Sequence, residues 1–120
     1  MIQGSFGARG ELFFEIDLIA ADSSLITVNV LDTGFTDWLA INIQDAESLG
    51  WSFIEQREMQ TARGEVIFNR YEGTVMFDSQ EVIIPILGCE EISEILLGLP
   101  WLERRLVVDR KAGLLRLGVD

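Results

Sequence analysis

The sequence predicts an all-β fold, mainly strand with two short helices. Three observations carry this. Apolar and polar residues alternate with period two over several stretches, the pattern of half-buried strands. Clusters of turn formers, Asp22-Ser23-Ser24, Asp78-Ser79-Gln80 and Arg110-Lys111-Ala112-Gly113, separate those stretches at short intervals. Helix signals occur only at residues 44–49 and from Pro100.

In chain order, Leu12, Phe14, Ile16 and Leu18 alternate with Phe13, Glu15 and Asp17 as a first strand. After the 22–24 turn, Ile26, Val28 and Val30 continue the alternation against Thr27 and Asn29 and deliver the chain to Asp32, which predicts a hairpin. Residues 38–43 read as a short strand. Residues 44–49 read as a brief helix with Ala46 and Leu49 on one face, closed by Gly50. From Trp51 to Gln60 the chain is extended and increasingly polar, then turns at Thr61-Ala62-Arg63-Gly64 into a strand over residues 65–68. Tyr71, Gly73, Val75 and Phe77 set another strand. Residues 81–87 set the next, where Pro85, lacking an N–H, predicts an edge or a bulge. Residues 88–93 are a loop before the strand 95–98. The helix at Pro100 follows, with Arg104 and Arg105 near its C-terminus, where the macrodipole favours cations. Residues 106–109 and 114–117 pair across 110–113 as a closing hairpin.

The length, 120 residues, fits one domain over 1–120 with a real core, too short for a two-lobed enzyme. An apolar fraction of 48% and a mean hydropathy of +0.26 are high for a small monomer, and a buried subunit interface would absorb the excess. No apolar run approaches the ~18–20 residues of a membrane span, and the opening Met-Ile-Gln-Gly-Ser lacks signal-peptide character, so the expected compartment is the cytoplasm. A net charge of −11 argues against nucleic acid, since phosphate contacts need Lys and Arg. The charge is uneven. Through Glu103 the chain holds 18 acidic and 4 basic residues, and from Arg104 onward 2 and 5. That basic end fits either a solvated edge or contact with an acidic neighbouring subunit.

With no His and a single Cys, Cys89, the chain cannot build a His-assisted nucleophile, a His-ligated zinc site or an internal disulfide. Cys89 reads as a small packing residue near a loop. No phosphate loop is present, and Gly4, Gly7 and Gly10 lack the spacing of a dinucleotide fingerprint. No cofactor or metal is expected. Carboxylates are the remaining source of acid–base chemistry near neutral pH.

One carboxylate stands out. The apolar run 28–31 leads straight into Asp32-Thr33-Gly34, and a carboxylate at the end of a buried strand needs donors around it. On its own the tripeptide also fits an ordinary Asp-Gly-type turn. Read as a site, the turn presents Asp32 inward, with Gly34 tolerating unusual backbone angles and Thr33 able to donate and accept. Sixty-six positions on, Leu96-Leu97-Gly98 forms a second apolar strand ending in Gly.

The pairing of hydrophobic-Asp-Thr-Gly with a later hydrophobic-hydrophobic-Gly resembles the retropepsin-like aspartic proteases. The resemblance extends to small prokaryotic members in Met1-Ile2-x-Gly4, Asp32-Thr33-Gly34-Phe35-Thr36, Tyr71-x-x-x-Val75 and Leu106-Val107-Val108-Asp109 with Gly113. It implies a retropepsin-like half-barrel, active as a symmetric homodimer, because Asp-Thr-Gly occurs once here and the family's reaction needs two carboxylates sharing one proton. Asp32 would pair with Asp32 of a second copy. One carboxylate would activate water while the other donates to the scissile carbonyl, and a peptide or unfolded protein would be cut without a covalent intermediate. By the same resemblance Thr33 would hydrogen-bond across the two-fold axis and Gly34 would let its backbone face substrate. Leu97 and Gly98 would pack beneath the turn. Thr61, Ala62, Arg63, Gly64 and Glu65 would form a flap over substrate, although locally they also fit an ordinary surface hairpin. Two positions depart from retroviral members. Phe35 replaces a small residue, changing the first substrate pocket or the support of the carboxylate, and Leu99 replaces an Arg. A non-catalytic dimer holding a peptide in the same groove, and a β-barrel whose Asp32 is only a turn residue, are the alternatives.

Overall fold

A computed structural model describes residues 1–62 and 64–119. Its strands are β1 (Ile2–Gln3), β2 (Ser5–Phe6), β3 (Leu12–Ile19), β4 (Ser24–Leu31), β5 (Leu39–Asn42), β6 (Ser52–Thr61), β7 (Gly64–Phe77), β8 (Gln80–Cys89), β9 (Ile95–Leu97), β10 (Arg105–Asp109) and β11 (Leu114–Gly118). One α-helix, α1 (Ile43–Ser48), and one 3-10 helix (Leu99–Glu103) interrupt them. The all-β expectation with two short helices holds.

Six strands close a barrel. In the larger sheet β3, β4, β9, β5, β8 and β7 are neighbours in that order, and β7 returns to β3 by pairing Asp17 with Met76, Leu18 with Val75 and Ile19 with Thr74. Closure removes the open edges that a flat sheet would expose. β2 and β6 extend it on either side. β7 is one 14-residue strand where the sequence suggested two. From Phe68 to Glu72 it pairs with both β8 and β6, beyond that with β8 and β3, while over residues 64–67 its partner is β6, so the hairpin's outer part is a two-stranded ribbon. A smaller sheet, β1-β11-β10, packs its central strand inward, with Leu115 and Leu117 fully buried.

The core is built from the inward phase of each strand. Phe14, Ile16 and Leu18 of β3, Val75 and Phe77 of β7, and Ile84 and Ile86 of β8 are all buried, as period two requires. Trp101, from the 3-10 helix, is also fully buried and meets Trp38 edge-on at 5.2 Å. In α1, Asn42 caps the first turn by accepting from the Gln44 N–H, Ala46 is buried, and Gly50 follows the helix at φ +72°.

β4 runs in the phase opposite to that expected. Asn29 is 0% exposed, whereas Ile26 and Val28 are 67% and 59% exposed. Residues opposite each other across a ladder share a face. With Phe14 opposite Asn29 and Ile16 opposite Thr27, the inward phase of β3 takes Thr27 and Asn29 inward with it. Leu31, opposite Leu97, completes that inward phase. Pro85 also sits differently, because β8 lies between β5 and β7 rather than at an edge. Its pairing with β5 begins at Ile86, so the missing N–H falls just before that ladder starts. Cys89 belongs to β8 rather than to the loop.

Among the described residues no helix is long and apolar enough to cross a membrane.

Candidate active site

Two segments cross at one end of the barrel. β4 and β9 run parallel, with Leu31 opposite Leu97, and the Asp32 N–H donates to the Leu97 carbonyl at 2.9 Å, carrying the ladder one residue further. Beyond it the chain turns. The Phe35 N–H returns to the Asp32 carbonyl at 3.1 Å, and the Gly34 N–H donates to Asp32 Oδ1 at 2.9 Å. Three more bonds strap this turn to the segment after β9. The Leu99 N–H donates to the Phe35 carbonyl at 2.8 Å, and the Trp38 carbonyl accepts both the Gly98 N–H at 3.2 Å and the Trp101 indole N–H at 2.6 Å.

Gly98 is required here by close approach, not by its backbone angles, since its φ of −100° suits any residue. A Cβ at this position would lie 1.7 Å from the Asp37 carbonyl oxygen and 2.8 Å from the Phe35 ring. Gly34 does not adopt positive φ, and a Cβ there would lie 3.2 Å from Asp32 Oδ1, so its absence of a side chain leaves the carboxylate uncrowded. Phe35, half-buried, packs its ring against Gly98, which gives the bulky residue after Asp-Thr-Gly a structural task at the crossing.

The Asp32 side chain is exposed in the single chain, as are Thr33 and Gly34. The inward placement expected from the sequence is thereby corrected, and the cause is the phase of β4: with Leu31 inward, the next residue projects out. The bonds of the crossing bring together Asp32, Gly34, Phe35, Leu97 and Gly98. The hairpin tip belongs to another part of the sheet, with Thr61 opposite Gly64 and Gln60 opposite Glu65. Ala62 and Glu65 are exposed, Gly64 adopts φ +103°, and Arg63 lies outside the described residues.

Sequence reasoning missed Asn29. Beneath the strand that delivers Asp32, its Nδ2 donates to the Phe14 carbonyl at 3.0 Å and the Thr27 carbonyl at 2.9 Å, while Thr27 Oγ1 lies 3.1 Å from the Ile16 carbonyl. A buried amide with its donors satisfied locks β3 to β4. A polar residue flanked by Val28 and Val30 was the available signal. Arg104 stands at the C-terminal end of the short helix, as expected, but its aromatic surroundings were not foreseen. Its guanidinium lies 5.0 Å from the Phe77 ring centre, 5.1 Å from Trp101 and 5.9 Å from Trp38, a cation held by aromatic faces. Cys89 takes no part in the crossing, and burial pushes its thiol up to about 11, far from a nucleophile's range. No cluster of metal-ligating side chains occurs among the described residues.

No family model matches the sequence, and no curated protein matches it. Among solved structures the chain is similar to that of a retropepsin-like aspartic protease from Rickettsia conorii, with 23% identity over 98% of this chain and 89% of that one and a TM-score of 0.71. The barrel with its strapped Asp32–Gly98 crossing therefore has the retropepsin-like fold.

Proposed function

We propose that the protein is an aspartic endopeptidase whose active centre is completed by a second copy. The observation that carries this is the exposed Asp32 carboxylate, oriented by the Gly34 N–H on a turn strapped to Leu97–Leu99. One chain offers one such group, and symmetry supplies the second. Two carboxyls about 3 Å apart cannot both ionise cheaply, so the pair shares a proton and titrates as a unit, the behaviour for which aspartic proteases are the known example. The ionised member takes a proton from a bridging water, and the protonated member donates to the carbonyl oxygen of the peptide bond.

In this reading Thr33 reaches across the two-fold axis, and Gly34 keeps its backbone open to substrate. Leu97 and Gly98 hold the floor. Residues 61–65 cover an extended peptide or an unfolded protein, bound largely through backbone hydrogen bonds. The whole chain, 1–120, acts as one domain. Purified protein should cleave casein at mildly acid pH and lose this with Asp32→Asn. Equal, slow degradation by wild type and Asp32→Asn would defeat the peptidase reading and leave a dimer that binds peptide without cutting it.

A further inference from the structure

β9, three residues long, stands between the eight-residue β4 and the four-residue β5. Its ladder with β4 begins where Ile95 meets Asn29, and its ladder with β5 sets Leu39 opposite Leu97 and Ala40 opposite Leu96. Among the described residues, β4 before Asn29 is therefore laddered to β3 alone, and β5 beyond Ala40 to β8 alone. The barrel wall has a notch at this level, flanked by α1.

Leu25 marks the notch. It lies opposite Leu18, so the pleat puts both side chains on the inward face. Leu18 is 0% exposed, yet Leu25 is 54% exposed. An inward-facing leucine left open to water is the sign of a wall that is missing a strand. The notch holds a cavity of about 350 Å³, with the buried Leu18 and Ile41 beneath it and Leu25, Leu49 and Ile95 around it. Concave sites of roughly 300–1,000 Å³ with mainly apolar linings are of the size that takes small molecules.

The lining also has a sign. Asp45, in the first turn of α1, reaches it with an exposed carboxylate that forms no ion pair among the described residues. No Lys or Arg contributes to this lining among the described residues. An anionic head group would meet repulsion there, and a cationic one attraction. We propose that the notch binds a small cationic amphiphile, a primary amine on a short apolar chain, with the chain against Leu18, Leu25 and Ile41 and the ammonium beside Asp45. Removal of the chain from water supplies the affinity. Asp45 supplies the selection for charge, reduced because water and salt screen an exposed pair.

The notch shares no residue with the Asp32 crossing, so its test does not depend on the peptidase reading. The full chain is titrated with hexylammonium, 1-hexanol and hexanoate, and binding is followed by the NMR shifts of the Leu25, Leu49 and Ile95 methyl groups. Hexylammonium should bind at least about tenfold more tightly than hexanoate, with 1-hexanol between them. Asp45→Asn should bring hexylammonium to within about twofold of 1-hexanol and leave 1-hexanol unchanged, whereas Leu25→Ala should weaken all three. Added salt should weaken hexylammonium and not 1-hexanol. Glu81→Gln, an exposed charge removed on β8, serves as the control for the overall acidity of the chain and should leave the order as it is. Absence of saturable methyl shifts with all three compounds, equal affinities for hexylammonium and hexanoate, or equal effects of Glu81→Gln and Asp45→Asn would overturn the proposal.

Discussion

The amide of Asp32 donates to the carbonyl of Leu97 at 2.9 Å, joining two segments far apart in sequence. Everything in the crossing follows from that bond being parallel-ladder geometry continued past the end of β4. The turn after Asp32 has to fold back over the strand it just paired with, and the space beneath it is one backbone thick.

Gly98→Ala is therefore expected to be among the most damaging single-methyl changes in the chain. The added Cβ would meet the Asp37 carbonyl at 1.7 Å, and backbone cannot swing aside as a side chain can. Overpacking typically costs about 1–3 kcal/mol, and a backbone clash belongs at or above the upper end. Urea unfolding would show it as a lower midpoint, and a midpoint within experimental error of wild type would refute the close approach.

Asp32→Asn should separate chemistry from stability. The Asn carbonyl oxygen can still accept the Gly34 N–H, so the turn survives, and the residue is exposed. The melting temperature should stay within the range of ordinary surface changes, about 0.5 kcal/mol. Cleavage of casein should fall by at least about 10²-fold, the lower range for removal of a general acid–base group.

The inverted phase of β4 makes a paired prediction. Val28→Thr, at a 59% exposed site, should change stability by no more than about 0.5 kcal/mol. Asn29→Leu should cost about 1–3 kcal/mol, because the Phe14 and Thr27 carbonyls each lose the Asn29 donor and a branched side chain must enter a fully buried site. If equilibrium denaturation ranked the two the other way round, Ile26, Val28 and Val30 would be the core residues after all.

Cys89 supplies a pH dependence. Burial raises its thiol from 9.0 to about 11, so the folded chain holds the proton longer than the unfolded one. The stability associated with the neutral thiol is complete below about pH 9 and is lost as pH rises towards 11. Cys89→Ser should flatten that part of the stability profile, measured as urea midpoints at pH 8, 9 and 10. Iodoacetamide at pH 8 should alkylate the folded protein several-fold more slowly than free cysteine.

Much of this architecture was legible in the sequence because strand periodicity and turn residues are local. Leu12 to Leu18, the turn at residues 78–80 and the closing hairpin all fell where alternation and turn chemistry placed them. Asp32 and Gly98 were legible as a pair because hydrophobic-Asp-Thr-Gly followed by a later hydrophobic-hydrophobic-Gly resembles a known motif pair; each alone is only an apolar run closed by a turn residue. What alternation cannot give is phase. A strand reading Ile-Thr-Val-Asn-Val has two possible inward faces, and the neighbouring β3, fixed by Phe14, Ile16 and Leu18, decided in favour of Asn29. The exposure of Asp32 is a consequence of the same decision. Pro85 misled for a related reason: a missing N–H matters only on the side where a ladder exists, and sequence does not say where β5 begins to pair. Arg104 was read by its place after a helix, whereas Trp38 and Phe77, distant in sequence, supply the rings it rests on.

β7 has two unequal halves. Its later half is welded into the barrel wall between β3 and β8, while among the described residues its first positions, 64–67, are laddered to β6. Mechanically the outer hairpin is a cantilever, rooted where Phe68 meets Cys89. Substitutions near Phe68 therefore fall at the junction where the two-stranded ribbon joins the three-stranded part of the sheet, and their effect is shared between the β6 and β8 ladders.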